Sequence, residues 1–198
     1  MIESSHEDHV NAPAPGDLED VRSFLSLHEH EEGRDASLPP TPSTLEGWLR
    51  RRDLLSPSTP IDPADLDWAL SIRDALLTKV AENAGMPRDH AAVEVLNSAA
   101  QDTGLQLCFG CDENRLHTEV DGMRGVIGTI LGTAFLADMD GSFHRLRECQ
   151  DPTCPTVFYD RSKNHTAKWC SMASCGNRNK VRKFRERERA SAAMDPAS

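Results

Sequence analysis

The stretch that decides the reading is residues 149–189, CQDPTCPTVFYDRSKNHTAKWCSMASCGNRNKVRKFRERER. Its four cysteines, Cys149, Cys154, Cys170 and Cys175, are spaced Cys-x4-Cys-x15-Cys-x4-Cys. Two thiolate pairs, each close in sequence and separated by a short loop, are what a tetrahedral Zn²⁺ needs, because each pair can come from one tight turn. Between the pairs, residues 156–160 read as a strand and 161–164 as a polar turn before Lys168, Trp169 and Cys170. Two short strands around that turn would bring the sulfurs together in a zinc-ribbon-like module. So small a segment cannot form an adequate core, so one structural Zn²⁺, worth about 10 to 16 kcal/mol in small zinc peptides, would carry its folding. Phe158 and Trp169 are expected to cover the site. No open coordination position or water-activating carboxylate is suggested, so no enzymatic role is expected.

Past the last cysteine, Gly176 permits a turn and Asn177 can cap a helix. Projected at about 100° per residue, Arg178, Arg182, Arg185 and Arg189 fall within a stripe about 60° wide. Val181 and Phe184 form a neighbouring apolar edge, expected to dock the helix on the zinc module. Lys180, Lys183 and Arg187 occupy the far side, and Glu186 and Glu188 are the acids of this run. Two basic stripes can flank phosphates or enter a major groove. The candidate DNA contacts are therefore Asn177, Arg178, Lys180, Arg182, Lys183, Arg185, Arg187 and Arg189, joined by Arg161, Lys163 and Lys168 from the loop between the cysteine pairs.

The net charge of the 198-residue chain is −10, which alone would argue against a polyanionic partner. The average conceals a segregation. Residues 1–144 hold 10 Lys+Arg against 26 Asp+Glu, a net −16, whereas residues 145–189 hold 12 against 5, a net +7. A basic module on an acidic body is the electrostatic footprint of a nucleic-acid binder whose body stays off the phosphates.

Upstream, residues 1–20 are acidic and offer little to bury, as in a disordered leader. They show no signal-peptide pattern, and the longest apolar-leaning stretch, 125–137, is too short and too rich in Gly and Thr to cross a bilayer. A cytoplasmic location is expected, where clustered cysteines serve metal better than disulfides. His28 and His30, among Glu29, Glu31 and Glu32, form only a weak metal pattern. Ser43 and Glu46 read as a capping box opening a helix with Leu45, Trp48 and Leu49. Asp62 and Pro63 open a second, striped by Leu66, Leu70, Leu77 and Val80 and stopped before Gly85. A third runs from about Asp89 to Gln101 with Val93 and Leu96 inward. Alternation at Leu105, Leu107 and Phe109, a turn at 110–114, and alternation at Leu116, Thr118 and Val120 give a β-hairpin. Cys108 and Cys111, with His117 nearby, are either half of a second metal site or small hydrophobes. Asp121 then caps a helix of about 17 residues. Gly125, Gly128 and Gly132 line one of its sides, reading either as a tight helix contact inside the body or as a groove for a ligand or dimer partner.

The C-terminal segment resembles the CGNR zinc-finger family, named for the tetrapeptide found here as Cys175-Gly176-Asn177-Arg178. The match runs through Arg147-x-Cys149, Cys154, Phe158-x-Asp160-x-Ser162-x-Asn164 and Trp169-Cys170-Ser171-Met172 to Lys180, Arg182 and Arg187. Such proteins usually carry an N-terminal ABATE domain, a mostly helical body with a small β element. The Trp48-Leu49 helix, the helix from Asp65 to Val80, the Leu96-Asn97 pair and the hairpin look like its pattern. The resemblance implies a bacterial transcription regulator, in some relatives stress-induced, whose C-terminal module binds DNA while the body receives a signal. Two departures stand out: Phe24-Leu25-Ser26-Leu27 replaces the usual Phe-x-Asn-Thr, and His165-Thr166-Ala167-Lys168 is poorer in arginine than its counterparts.

The reading is thus an α+β chain: a mostly helical N-terminal body with a small β-hairpin, and a C-terminal four-cysteine, zinc-ribbon-like module ending in a basic helix. Its boundaries are a leader at 1–20, the body at 21–144, the zinc module at 145–189 and a disordered tail at 190–198. The function it implies is a zinc-dependent DNA-binding regulator with no membrane partner, its body sensing a small-molecule or protein effector or mediating homodimerisation. A zinc-stapled protein-interaction adaptor and an RNA-binding module are the alternatives.

Overall fold

The computed structural model describes residues 13–28, 40–109 and 114–194. Among these, four helices come first: α1 (Leu18–Leu25), α2 (Pro42–Arg51), α3 (Pro63–Glu82) and α4 (His90–Asp102). An antiparallel hairpin follows, β1 (Leu105–Phe109) and β2 (Asn114–Thr118), then the long α5 (Gly122–Asp140). The C-terminal part holds the hairpin β3 (Leu146–Glu148) and β4 (Val157–Tyr159), a turn of π-helix at Met172–Gly176, and α6 (Asn177–Met194).

Local chemistry explains most starts. Asp62 accepts from the Ala64 N–H with Pro63 at the first helical position, as the sequence predicts, and Asp89 accepts from the Ala91 and Ala92 N–H groups at the start of α4. α2 starts earlier than Ser43 and Glu46 imply. Thr41 is its cap, exchanging bonds with Thr44 over Pro42, because Pro42 already supplies a pre-set first turn. The expected leader also reaches into structure at its far end, since Ala14 and Leu18 are buried. His28, whose Nδ1 lies 2.6 Å from the Ser26 carbonyl, is described; its proposed partners His30, Glu29, Glu31 and Glu32 lie outside the described residues.

The core of the body joins Val21, Phe24 and Leu25 of α1, Leu45, Trp48 and Leu49 of α2, Ile72, Leu76 and Val80 of α3, and Ile127 and Ile130 of α5. Burying each such side chain contributes about 1.5 to 3 kcal/mol. Phe24 and Trp48 meet at 5.6 Å between ring centroids, and the Trp48 Nε1–H donates to Ser23 Oγ. Arg73 is buried here, donating to the carbonyls of Phe24, Leu25 and Leu27. Burial pushes its pKa down, with Asp74 acting against that shift. It satisfies the free carbonyls at the end of α1, a role no local pattern announces.

The glycines of α5 pack inside the body, against the β1–β2 hairpin and its flanks rather than another helix. A Cβ on Gly125 would stand 2.2 Å from the Val120 carbonyl oxygen, one on Gly128 would stand 3.0 Å from Thr103 and Thr118, and one on Gly132 3.3 Å from Leu116. Close approach of hairpin and helix is the reason for the stripe. Past Gly132 the two elements no longer cover each other, and Leu107, Phe109, Phe135, Leu136 and Met139 are exposed.

Body and C-terminal hairpin share one core. Leu146, Val157 and Tyr159 pack with the body, while Phe158, pointing the other way from the same strand, packs with the cysteines. Backbone bonds reinforce the join: Ser26 Oγ donates to the Val157 carbonyl at 2.9 Å and accepts from the Val157 N–H at 3.1 Å, and Arg22 donates to that carbonyl.

Candidate metal centre and nucleic-acid interface

β3 ends at Glu148, one residue before Cys149, and a tight turn carries Cys154 before β4 begins. The register pairs Leu146 with Tyr159, Arg147 with Phe158 and Glu148 with Val157. The hairpin therefore spans the first cysteine pair; the strand expected at Lys168–Cys170 is absent, and residues 160–170 form a loop instead. Buried Asp160 organises that loop, accepting from the Ser162 N–H at 2.8 Å and the Ala167 N–H at 2.9 Å. Burial alone would raise its pKa, but the bonds from Ser162 and Ala167 outweigh it and hold the carboxyl below the usual range. The second pair sits at the start of the C-terminal helical run, where Ser171 accepts from the Ser174 N–H.

The four Sγ atoms lie within 4.8 Å of one another, with Cys154–Cys170 at 3.7 Å and Cys170–Cys175 at 3.6 Å. Tetrahedral Zn–S bonds of about 2.3 Å imply sulfur–sulfur edges of about 3.8 Å, so the cluster fits one zinc ion. Phe158 is fully buried beneath it and Trp169 packs alongside, as expected of covering residues. With protons alone the sulfurs share charge unequally. Cys154 is lowered as it accepts from Cys149 and Cys170, while Cys149 is pushed up to about 11 by donating to Cys154, and Cys170 is raised by its bonds to both neighbours. A metal resolves that conflict by holding all four as thiolates. Among the described residues no second group of three or more ligands comes together. Cys108 is exposed, and Cys111 lies outside the described residues.

Arg178 joins the metal centre to the helix. Its Nε–H donates to Asp151 at 2.8 Å, and its Nη2 donates to Cys175 Sγ at 3.0 Å, where it offsets thiolate charge. Arg182 reaches the second Asp151 oxygen at 3.8 Å. Asp151 is 1% exposed; burial would raise its pKa, but bonds from Arg178 and Thr153 leave it lowered. This carboxylate escaped the sequence reading because it lies between two cysteines and has no charge partner within a helical turn.

Three details of the helix depart from expectation. Asn177 does not cap it: the helical run begins after Ser171, and the Asn177 side chain donates back to the Ala173 carbonyl. Gly176 is helical, and a Cβ there would stand 2.9 Å from Met172 Sδ and 3.4 Å from the Trp169 ring. Val181 and Phe184 do not dock. They are 48% and 63% exposed, whereas Asn179, on the opposite side of α6, is buried. The tail expected from residue 190 continues as helix to Met194, in keeping with the helix propensity of Ala190, Ala192 and Ala193.

Of the candidate DNA contacts, Asn177, Arg178, Lys180, Lys183, Arg185, Arg187 and Arg189 are exposed on α6 and Arg182 is half-buried. Asn177, Arg178, Arg182, Arg185 and Arg189 line one shallow groove with Val181. Lys163 and Lys168 are exposed in the loop. Arg161 faces the body, stacked over Tyr159 at 5.6 Å and donating to the Pro13 carbonyl.

No described helix is long and apolar enough to cross a membrane. No protein of curated function matches the chain. Two family models do. Residues 145–188 match the CGNR zinc finger, and residues 22–137 match ABATE, described as "Putative stress-induced transcription regulator". The ABATE match covers more than half of the chain and the zinc finger follows it, so this protein belongs to the ABATE family, with a CGNR zinc finger positioned to bind one zinc ion as its C-terminal module.

Proposed function

We propose that this protein is a zinc-dependent DNA-binding transcription regulator, divided as the body at 21–144 and the zinc module at 145–189. The observation that carries the reading is α6: basic, anchored at one end through Arg178 and Arg182 to Asp151, and exposed at every residue from Lys183 to Ser191. A helix that buries no side chain from Lys183 to Ser191 is explained by an external partner, and its charge selects a polyanion. Arg185, Arg187, Arg189, Lys180 and Lys183 supply phosphate contacts, with Lys163 and Lys168 as the contribution from the loop. Zinc acts through the fold, holding Cys170 and Cys175 so that α6 leaves the module in one direction.

For the body, signal reception is supported by a cavity of about 260 Å³ among α3, α4, α5 and β1, lined by Leu76, Val93, Leu96, Leu131 and Phe135. The Lys79–Asp138 ion pair, at 3.2 Å, stands at its wall. Homodimerisation is supported by the exposed apolar surface of Leu107, Phe109 and Met139. The deciding experiment is a duplex-DNA titration of zinc-loaded and chelated full-length protein at several salt concentrations. Binding that requires zinc and weakens steeply with salt is expected. Undiminished binding by metal-free protein, or a flat salt response, would overturn the reading.

A further inference from the structure

The apolar edge of α6 has no partner among the described residues, yet its position is specific. Asn179 is buried and marks the inward side of the helix near its base. At about 100° per residue, Asn177, Val181, Phe184 and Glu188 all project within about 40° of the direction opposite Asn179. Arg178, Arg185 and Arg189 lie on one flank of this front stripe, and Lys180 and Arg187 on the other, at roughly 60 to 100° from its centre. Val181 and Phe184 are thus an exposed apolar front, bordered by cations on both sides.

That layout separates two tasks of a groove-reading helix. Cations on both flanks suit the two phosphate backbones that wall a major groove, whereas the front stripe faces its floor. On that floor the apolar feature is the thymine C5-methyl group. Resting on the DNA-binding reading above, we infer that Val181 and Phe184 are specificity-determining residues that read thymine methyl groups in the major groove. Asn177 stands on the same stripe one turn earlier, with an amide suited to a base edge. Glu188 ends the apolar front with a charge that phosphate repels, so the reading surface is confined to Asn177, Val181 and Phe184. A protein partner would fit the apolar pair, but it leaves the cations on both flanks unexplained.

The test compares two duplex pools with a randomised centre, one containing thymine and the other deoxyuridine, which keeps pairing and charge and lacks only the methyl group. Zinc-loaded full-length protein should bind the thymine pool more tightly, by about fourfold for each methyl buried. The variants V181A and F184A should lose that preference and keep the salt dependence; because both side chains are exposed, zinc content and helicity should stay unchanged. Equal affinity of the wild-type protein for the two pools would overturn the inference while leaving DNA binding intact. A preference that survives both substitutions, or self-association abolished by F184A with no effect on DNA, would also overturn it. Failure to bind either pool at low salt would instead remove the DNA-binding reading on which it rests.

Discussion

α5 and α6 are nearly equal in length, 19 and 18 residues, and opposite in how they are held. α5 has nine buried residues spread along it, and its glycines let a hairpin approach its backbone. α6 buries Asn179 near its start and nothing between Lys183 and Ser191. One helix is specified by packing all along its length. The other is specified at a single end, by a metal cluster and a buried carboxylate, and persists beyond it on local propensity. The difference teaches that substitutions at the buried positions of α5 should be read as stability, and those along the outer part of α6 as binding.

Removing the metal should produce the largest effect. Cys170→Ser, or chelation, takes away stabilisation of about 10 kcal/mol or more by the zinc-peptide scale. It should release the loop at 160–170 and the base of α6. Loss of bound zinc with loss of helicity near the C-terminus, followed by circular dichroism and hydrogen exchange, is the expected outcome. A fully protected α6 in the metal-free protein would break the comparison, because the helix would then need no mount.

Next comes Gly125→Ala. Alanine improves intrinsic helix propensity by about 1 kcal/mol. The added Cβ would meet the Val120 carbonyl oxygen at 2.2 Å, however, so the turn that leads into α5 must shift. A net loss of about 1 to 3 kcal/mol is expected, read as a lower denaturation midpoint with zinc affinity unchanged. A stabilised variant would show that the glycine stripe is not a packing feature.

Asp160→Asn probes the loop between the two cysteine pairs. The Asp160 carboxyl is held below its ordinary range, so its contribution to stability is present above the unfolded value of about 3.9 and disappears as pH falls through the lower folded value. The difference in stability between wild type and D160N should therefore be largest near neutral pH, about 1 to 2 kcal/mol, and vanish in acid well below pH 4. A difference that grew towards low pH would contradict the assignment.

The smallest stability effect is expected at Arg185→Ala, within about 0.5 kcal/mol for an exposed residue. If Arg185 contacts phosphate, the slope of log affinity against log salt should fall by about 1. A large drop in stability would show that α6 is packed against something and would erase its contrast with α5.

Legibility followed the range of the physics. The Asp62-Pro63 helix start and the hairpin alternation depend on neighbours a few residues apart, so the pattern reveals them. The zinc ligands were legible for a similar reason, because each pair lies in one turn and metal chemistry restricts the spacing. Asp151 was not, and Asp160 stood out only as a position of the family motif, since acids in loops are ordinary and their partners are chosen by the fold. Val181 and Phe184 show the limit most clearly. Their spacing identifies an apolar edge on α6, but the direction it faces is set by Asn179 and by the path of the chain out of Cys175.

The sequence by itself determined the four-cysteine metal centre, the charge split between body and module, the helical body with its hairpin, and the family. These rest on local spacing and on residue chemistry that survives any arrangement of the chain. Tertiary structure alone decided that Ser26 and Arg22 bind the Val157 backbone, that Arg73 closes α1, that Asp151 clamps the base of α6, and that the apolar edge of that helix faces solvent. Each joins groups far apart in the chain, where buried polar atoms must find partners and only the packed geometry says which are within reach.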